Sequence, residues 1–204
     1  MVFQFLFFFF INVGFSQKYP IPANHSVHKN SDDKESRLDA DFDGDGIKDL
    51  LVVCTKKNND SDNNLIVLYL STNSKKYVSF LFPTALGYGI EKTKDVLQIG
   101  ACFGNGRFCK TLKFRYNKKF KKMQLIGYDE ESFGNAAKEG AYKKTVNLST
   151  NQYNIEKYKW SEKKQDVEIF FKKTEKTNIE VTFFETTDNK KLESLEKIGG
   201  KYLE

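Results

Sequence analysis

The sequence predicts an all-β fold, a single antiparallel sandwich, barrel or propeller-like sheet of about eight to ten strands with one or two short helices. Three observations carry this. Short apolar or alternating runs recur from Leu38 onward. Polar turn clusters separate them at a spacing of roughly 8 to 15 residues. Helical periodicity is confined to two brief stretches. No segment repeats at a period of about 20 to 50 residues, so a repeat propeller is not expected. The chain of 204 residues divides into a leader at 1–16, a flexible lead-in at 17–37 and one β domain at 38–204.

In chain order, Leu50 to Cys54 and Leu65 to Leu70 are continuous apolar runs, the pattern of strands covered on both faces. Tyr77 to Phe82 is a third strand, ended by Pro83. Val96 to Gly100, Thr111 to Tyr116 and Phe120 to Tyr128 follow. In the second of these, Leu112, Phe114 and Tyr116 alternate with Lys113 and Arg115, as a half-buried strand requires. Val167 to Phe171 and Ile179 to Phe184 flank KKTEKTN as an expected hairpin. Ser132 to Tyr142 reads as a turn or two of helix. Asn189 to Ile198 reads as a second helix, stopped by Gly199-Gly200.

Residues 1–16 hold 12 apolar side chains and no charge, with Gly14 and Ser16 placed for a cut before Gln17. A run this short suits a secretory signal and falls below the roughly 20 residues of a membrane helix. The expected protein is therefore exported, periplasmic or secreted, with no membrane span in its mature chain. The net charge of +6 comes from lysine; only Arg37, Arg107 and Arg115 are arginine. Base readers rely on arginine, so nucleic acid is not an expected partner. Both histidines precede residue 30, and no GxSxG, HExxH or P-loop pattern occurs. The chain is not expected to be an enzyme.

The most specific motif is Asp41-Phe42-Asp43-Gly44-Asp45-Gly46-Ile47-Lys48-Asp49. Carboxylates fall at positions 1, 3, 5 and 9, glycine at 6, and the Ile47 carbonyl at 7. Ca2+ takes six to eight oxygens at about 2.4 Å, and alternate residues of a tight loop supply them. Four carboxylates in one turn repel one another without a cation. Position 12 is Val52, so the loop is not a complete EF-hand. Asp41, Asp43, Asp45, Ile47 and Asp49 are the expected ligands, against the plainer reading of an acidic turn.

Cys102 and Cys109 enclose six residues, two of them glycine, and are expected to close a hairpin as a disulfide. Cys54 ends an apolar strand and reads as a buried thiol. His25 with His28, and Glu130 with Glu131, are weak candidates for a metal or acid–base pair. Tyr153, Tyr158 and Trp160 could form a sugar-stacking strip.

The run Leu38 to Leu50, LDADFDGDGIKDL, resembles the calcium loop of FG-GAP and VCBS-type β-proteins. Thr111 to Asn117 (TLKFRYN), Gln124 to Tyr128 (QLIGY) and Val146 to Thr150 (VNLST) follow it in order. Together they resemble a family of small exported bacterial proteins over about residues 38 to 158. That family includes a periplasmic immunity protein that neutralises a lysozyme-like effector and is similar in fold to lysozyme inhibitors. There is one loop here, where FG-GAP propellers repeat theirs. The resemblance implies a non-catalytic calcium-binding β-protein with a macromolecular partner, a cell-wall hydrolase among the possibilities. Gly87, Tyr88, Asn105 and Arg107, in the loops 86–89 and 103–108, are the candidate contacts. The alternative is a glycan-binding or adhesion module.

Overall fold

The computed structural model describes residues 19–57, 63–73, 76–83, 85 and 87–203; the leader expected at 1–16 lies outside them. Two antiparallel sheets pack face to face without closing into a barrel. The first holds β1 (His25–Val27), β2 (Arg37–Ala40), β3 (Asp49–Lys56), β4 (Asn63–Tyr69) and β5 (Tyr77–Pro83). The second is a meander, each strand beside its sequence neighbour: β6 (Tyr88–Thr93), β7 (Val96–Phe103), β8 (Phe108–Asn117), β9 (Lys122–Ser132), β10 (Tyr142–Asn147), β11 (Gln152–Ser161) and β12 (Asp166–Lys176). One α-helix among the described residues, α1 (Asn189–Lys197), follows.

The central runs of β3 and β4, Leu50 to Cys54 and Leu65 to Tyr69, are apolar because both of their faces are covered. Leu51, Val53, Ile66 and Leu68 face the second sheet and meet Leu97, Ile99, Leu112, Phe114 and Leu125. Leu50, Val52, Cys54, Val67 and Tyr69 face the other way and form a second cluster under Tyr19, Ile21 and Val27. All three belong to the stretch expected as a flexible lead-in. The Tyr69 hydroxyl donates to the Pro20 carbonyl. β1 and β2 lie end to end along one edge of β3, with Val27 opposite Cys54 and Arg37 opposite Val52. His28 N–H donates to Val53 O (2.8 Å) and Val53 N–H to Ser36 O (2.9 Å), bridging the gap between them. The few apolar residues of the lead-in are placed singly, so no periodicity betrays them.

The seven-stranded sheet is wider than its partner, and α1 covers the remainder. Leu192 and Leu195 join Tyr128, Val146 and Ile155 in the main core. Asp188 caps the helix, its side chain accepting from Lys191 N–H (2.8 Å). Gly199 ends it in a left-handed conformation (φ 71°). A Cβ there would meet Ile155 Cδ1 at 2.5 Å and Tyr153 Cε2 at 2.7 Å, so both backbone and space demand glycine.

Three expected elements differ. KKTEKTN is no turn: β12 runs through Lys176, because Lys172 and Lys176 pair across to Glu156 and Gln152. Residues 177–183 are not a strand beyond one bridge, Gln124 to Phe183. Ser132 to Tyr142 holds no helix; Gly134 (φ 63°) and Gly140 (φ 75°) make it an irregular loop. Among the described residues there are twelve strands where about eight to ten were expected, since β1, β2, β6 and β10 are short or polar and carry little periodicity.

Candidate functional site

The aspartate loop joins β2 to β3, and the fold gathers part of the expected ligand set. Carboxylate oxygens of Asp41, Asp43 and Asp49 lie within 4.8 Å of one another. A hard cation about 2.4 Å from each oxygen spans that separation. Asp43 and Asp49 are buried. Gly44 (φ 81°) and Gly46 (φ 84°) let the chain turn tightly enough to donate both N–H groups to Asp41, at 2.6 and 3.0 Å. Asp45 is not drawn into the group: Ile47 N–H donates to its Oδ1 (2.7 Å) and the Ser71 hydroxyl to its Oδ2 (2.6 Å). The Ile47 side chain is exposed. Asp39 lies apart, bonded twice to the Arg37 guanidinium.

The short turn after β4 braces this loop, which the sequence did not reveal. Ser71 N–H donates to Asp49 Oδ1 (2.7 Å), opposite Phe42 N–H on Oδ2 (2.6 Å). The Thr72 hydroxyl donates to Asp43 Oδ2 (2.6 Å). Burial opposes ionisation of Asp41, but N–H donation from Gly44, Gly46 and Asp45 holds its carboxyl below the ordinary range. Burial pushes the Asp49 carboxyl up; the neighbouring charge of Asp43 adds to this, against the pull of the Ser71 and Phe42 N–H groups. A cation would offset this excess of negative charge.

The opposite end of the sandwich carries the other candidates. Cys102 and Cys109 pair directly across β7 and β8 and form the expected disulfide. It closes the turn on which Asn105 and Arg107 are exposed. A cleft of about 500 Å³ runs from Ala85 and Gly87 to Cys102 and the 103–106 turn. A second, about 380 Å³, lies on the outer face where Gly89 stands opposite Gly100. With no side chains on either residue, the floor of this cleft is backbone. Tyr88, the other candidate contact, is half-buried. It turns inward, its hydroxyl donating to Pro83 O (2.7 Å) and accepting from Asn64 (3.0 Å) and Ala85 N–H (3.2 Å).

No family model, curated protein or solved structure matches the chain. The site therefore rests on its own geometry.

Other candidates resolve into structure. Cys54 is buried and free, and burial pushes its thiol up to about 11, which keeps it protonated and inert. His28 shares a hydrogen with the Ser36 hydroxyl (3.0 Å), and burial lowers its pKa. His25 bonds to Ala23 O (2.9 Å). Glu130 and Glu131 point to opposite faces of β9 and cannot act as a pair. The aromatic strip is broken: Tyr153 is buried, while Trp160 remains exposed.

Sequence reading missed the polar centre of the core. Lys144 on β10 is fully buried and pairs with Glu130 at 2.7 Å. Glu130 also accepts from the hydroxyls of Tyr128 (2.8 Å) and Tyr142 (2.5 Å). Lys144 donates onward to the Glu196 carbonyl in the last turn of α1 (2.8 Å), and Lys110 pairs with the Glu196 carboxylate. Through Lys144 and Lys110 the cluster ties β8, β9 and β10 to the last turn of the helix.

Removing the disulfide by Cys102→Ser with Cys109→Ser is expected to cost about 2 to 3 kcal/mol, the loop-closure value for so short a loop. Urea unfolding of both forms, compared at equal slope, measures it.

Proposed function

We propose that this chain is an exported, non-catalytic β-protein, stapled by calcium in its aspartate loop, that binds a cell-wall hydrolase and inhibits it. The observation that supports the partner face best is the disulfide-closed turn, which holds exposed Asn105 and Arg107 beside two glycine-lined clefts. A turn fixed at both feet costs little entropy to order on binding. Arg107 offers a planar cation suited to a carboxylate of the partner.

The metal loop lies at the other end, beside Lys92, Lys94 and the β8–β9 turn. Its role in this reading is to fix the entry to β3, not to touch the partner. Asp41, Asp43 and Asp49 would hold the ion. Ca2+ at a hundredfold excess over its Kd is expected to stabilise by about 2.7 kcal/mol, raising the melting temperature by about 5 to 10 °C. In Asp43→Ala the calcium-dependent rise disappears. A thermal scan with chelator and with excess calcium decides this; equal rises in both proteins remove calcium from the proposal.

The partner reading is tested by adding the protein to a panel of purified lysozymes and muropeptidases and following cell-wall lysis. Inhibition that Arg107→Ala weakens supports it. Undiminished lysis across the panel at micromolar protein overturns it.

A further inference from the structure

The aspartate-loop end of the sandwich gathers cations that have no carboxylate partner. A cleft of about 320 Å³ is lined by Asp41 and Asp43 together with Lys92, Lys94, Arg115 and Lys118. We propose that this cleft binds a phosphate group, and does so when the loop holds calcium. The inference rests on the calcium reading above and adds a ligand to it.

Three loops build the cleft. The β6–β7 turn is two residues, Lys94 and Asp95, between the paired Thr93 and Val96. Val96 stands opposite Arg115, so the β8–β9 turn lies at the same end. β2, which leads into the aspartate loop, packs against β6. Arg115 is paired with Asp95 at 2.8 Å. Residues 117–122 carry four lysines and no carboxylate, and Lys122 pairs with Glu185 at 2.5 Å. Lys92, Lys94 and Lys118 are exposed, and none is in an ion pair among the described residues.

The charge balance makes binding conditional on the ion. In the empty loop, Asp41 and Asp43 offset two of these three lysines and repel an anion. A bound dication offsets two negative charges of the loop, and the lysines then stand in excess. Coordination points the same way. One oxygen each from Asp41, Asp43 and Asp49, with the Ile47 carbonyl, is fewer than the about six to eight that Ca2+ takes. Asp45 does not make up the number, since Ile47 N–H and the Ser71 hydroxyl hold its two oxygens. Phosphate oxygens are hard ligands that can complete such a shell, and their remaining charge suits ammonium groups. Gly44 also lines the cleft, and a Cβ there would meet nothing within 4 Å, so the approach over the loop is open.

The probe is glycerol 3-phosphate, titrated calorimetrically into the full chain at low ionic strength, in millimolar calcium or in chelator. Calcium binding is followed separately, by thermal scan without phosphate. The expected result is saturable phosphate binding in calcium, weaker at least about tenfold in chelator. Lys92→Ala with Lys118→Ala is expected to weaken binding in calcium at least about tenfold, the loss of two charge-assisted hydrogen bonds. Both side chains are exposed and neither ligates the ion, so the calcium-dependent rise in melting temperature persists in that variant. Competition by soluble poly(glycerol phosphate) assigns the phosphate to a polymer, and competition by phosphatidylglycerol vesicles to a lipid headgroup; either supports the site. A calcium-dependent rise without phosphate binding overturns this inference and leaves the calcium reading standing. Absence of that rise overturns both. Equal affinity in calcium and in chelator, or in the wild type and the lysine variant, also overturns the inference.

Discussion

Replacing Lys144 by methionine is expected to destabilise the protein by about 3 to 5 kcal/mol, the range for breaking a buried ion pair from one side. Lys144 is fully buried and Glu130 is 5% exposed, so the carboxylate left behind has no cation and little water. The loss also frees the Glu196 carbonyl in the last turn of α1, where a positive charge complements the helix dipole. Against a total stability of about 5 to 15 kcal/mol, such a loss puts the fold near its threshold. Glu130→Gln in the Lys144→Met background is expected to recover part of it, because glutamine still accepts from Tyr128 and Tyr142 without a charge. A double-mutant cycle in urea measures this coupling; additive losses would show that the two groups act independently. Acid probes the same cluster. Burial pushes the Glu130 carboxyl up, but hydrogen bonds from Lys144, Tyr142 and Tyr128 outweigh it and hold the group below the ordinary range. Its contribution is complete above the unfolded glutamate pKa of about 4.3 and is lost as pH falls through the lower folded value.

Phe184→Ala carries a comparable expected cost, about 3 to 5 kcal/mol, for a different reason. Phe184 is fully buried in the turn between the last extended segment and α1. Its ring lies 4.8 Å from Phe80 of the first sheet and 5.1 Å from Phe114 of the second. It is a wedge between the two layers, and neither strand can move to fill the space without breaking its ladder. Phe120→Ala is the control. That ring is 49% exposed and touches Phe183 at the surface, so a change within about 0.5 kcal/mol is expected. Thermal midpoints of the two variants should separate clearly.

The fold class was legible because β3 and β4 carry continuous apolar runs, Leu50 to Cys54 and Leu65 to Tyr69, and β8 alternates from Leu112 to Tyr116, patterns that fit sheets. The disulfide and the stop at Gly199 were legible because each depends on residues close in sequence. The aspartate loop showed its four carboxylates in sequence but not its brace, since the spacing of Ser71 and Thr72 says nothing of their return to Asp45, Asp43 and Asp49. Lys144 shows the limit more sharply. It lies two residues from both Tyr142 and Val146, on the same face of β10. Its partner Glu130 lies directly opposite on β9, and cross-strand register is not written in either strand alone. The packing of residues in the lead-in was hidden for a related reason: Tyr19, Ile21 and Val27 meet an apolar surface that exists only once β3 and β4 have paired.

The nearest-neighbour order of the second sheet governs the timing of assembly. Each of its six ladders closes through a connection local in sequence, so the sheet can zip from hairpin to hairpin at small entropic cost. The contacts that cover its inner face are of another kind. Lys110 and Glu196 are 86 residues apart, and Phe184 reaches back to β5. Both α1 and the wedge follow every strand of the sheet in chain order, so the strands are synthesised before them. Until then the strands β8 to β11 expose Leu112, Phe114, Val146 and Ile155 without their cover. A nascent or C-terminally truncated chain would therefore present a preformed apolar sheet, the state in which aggregation competes most directly with folding.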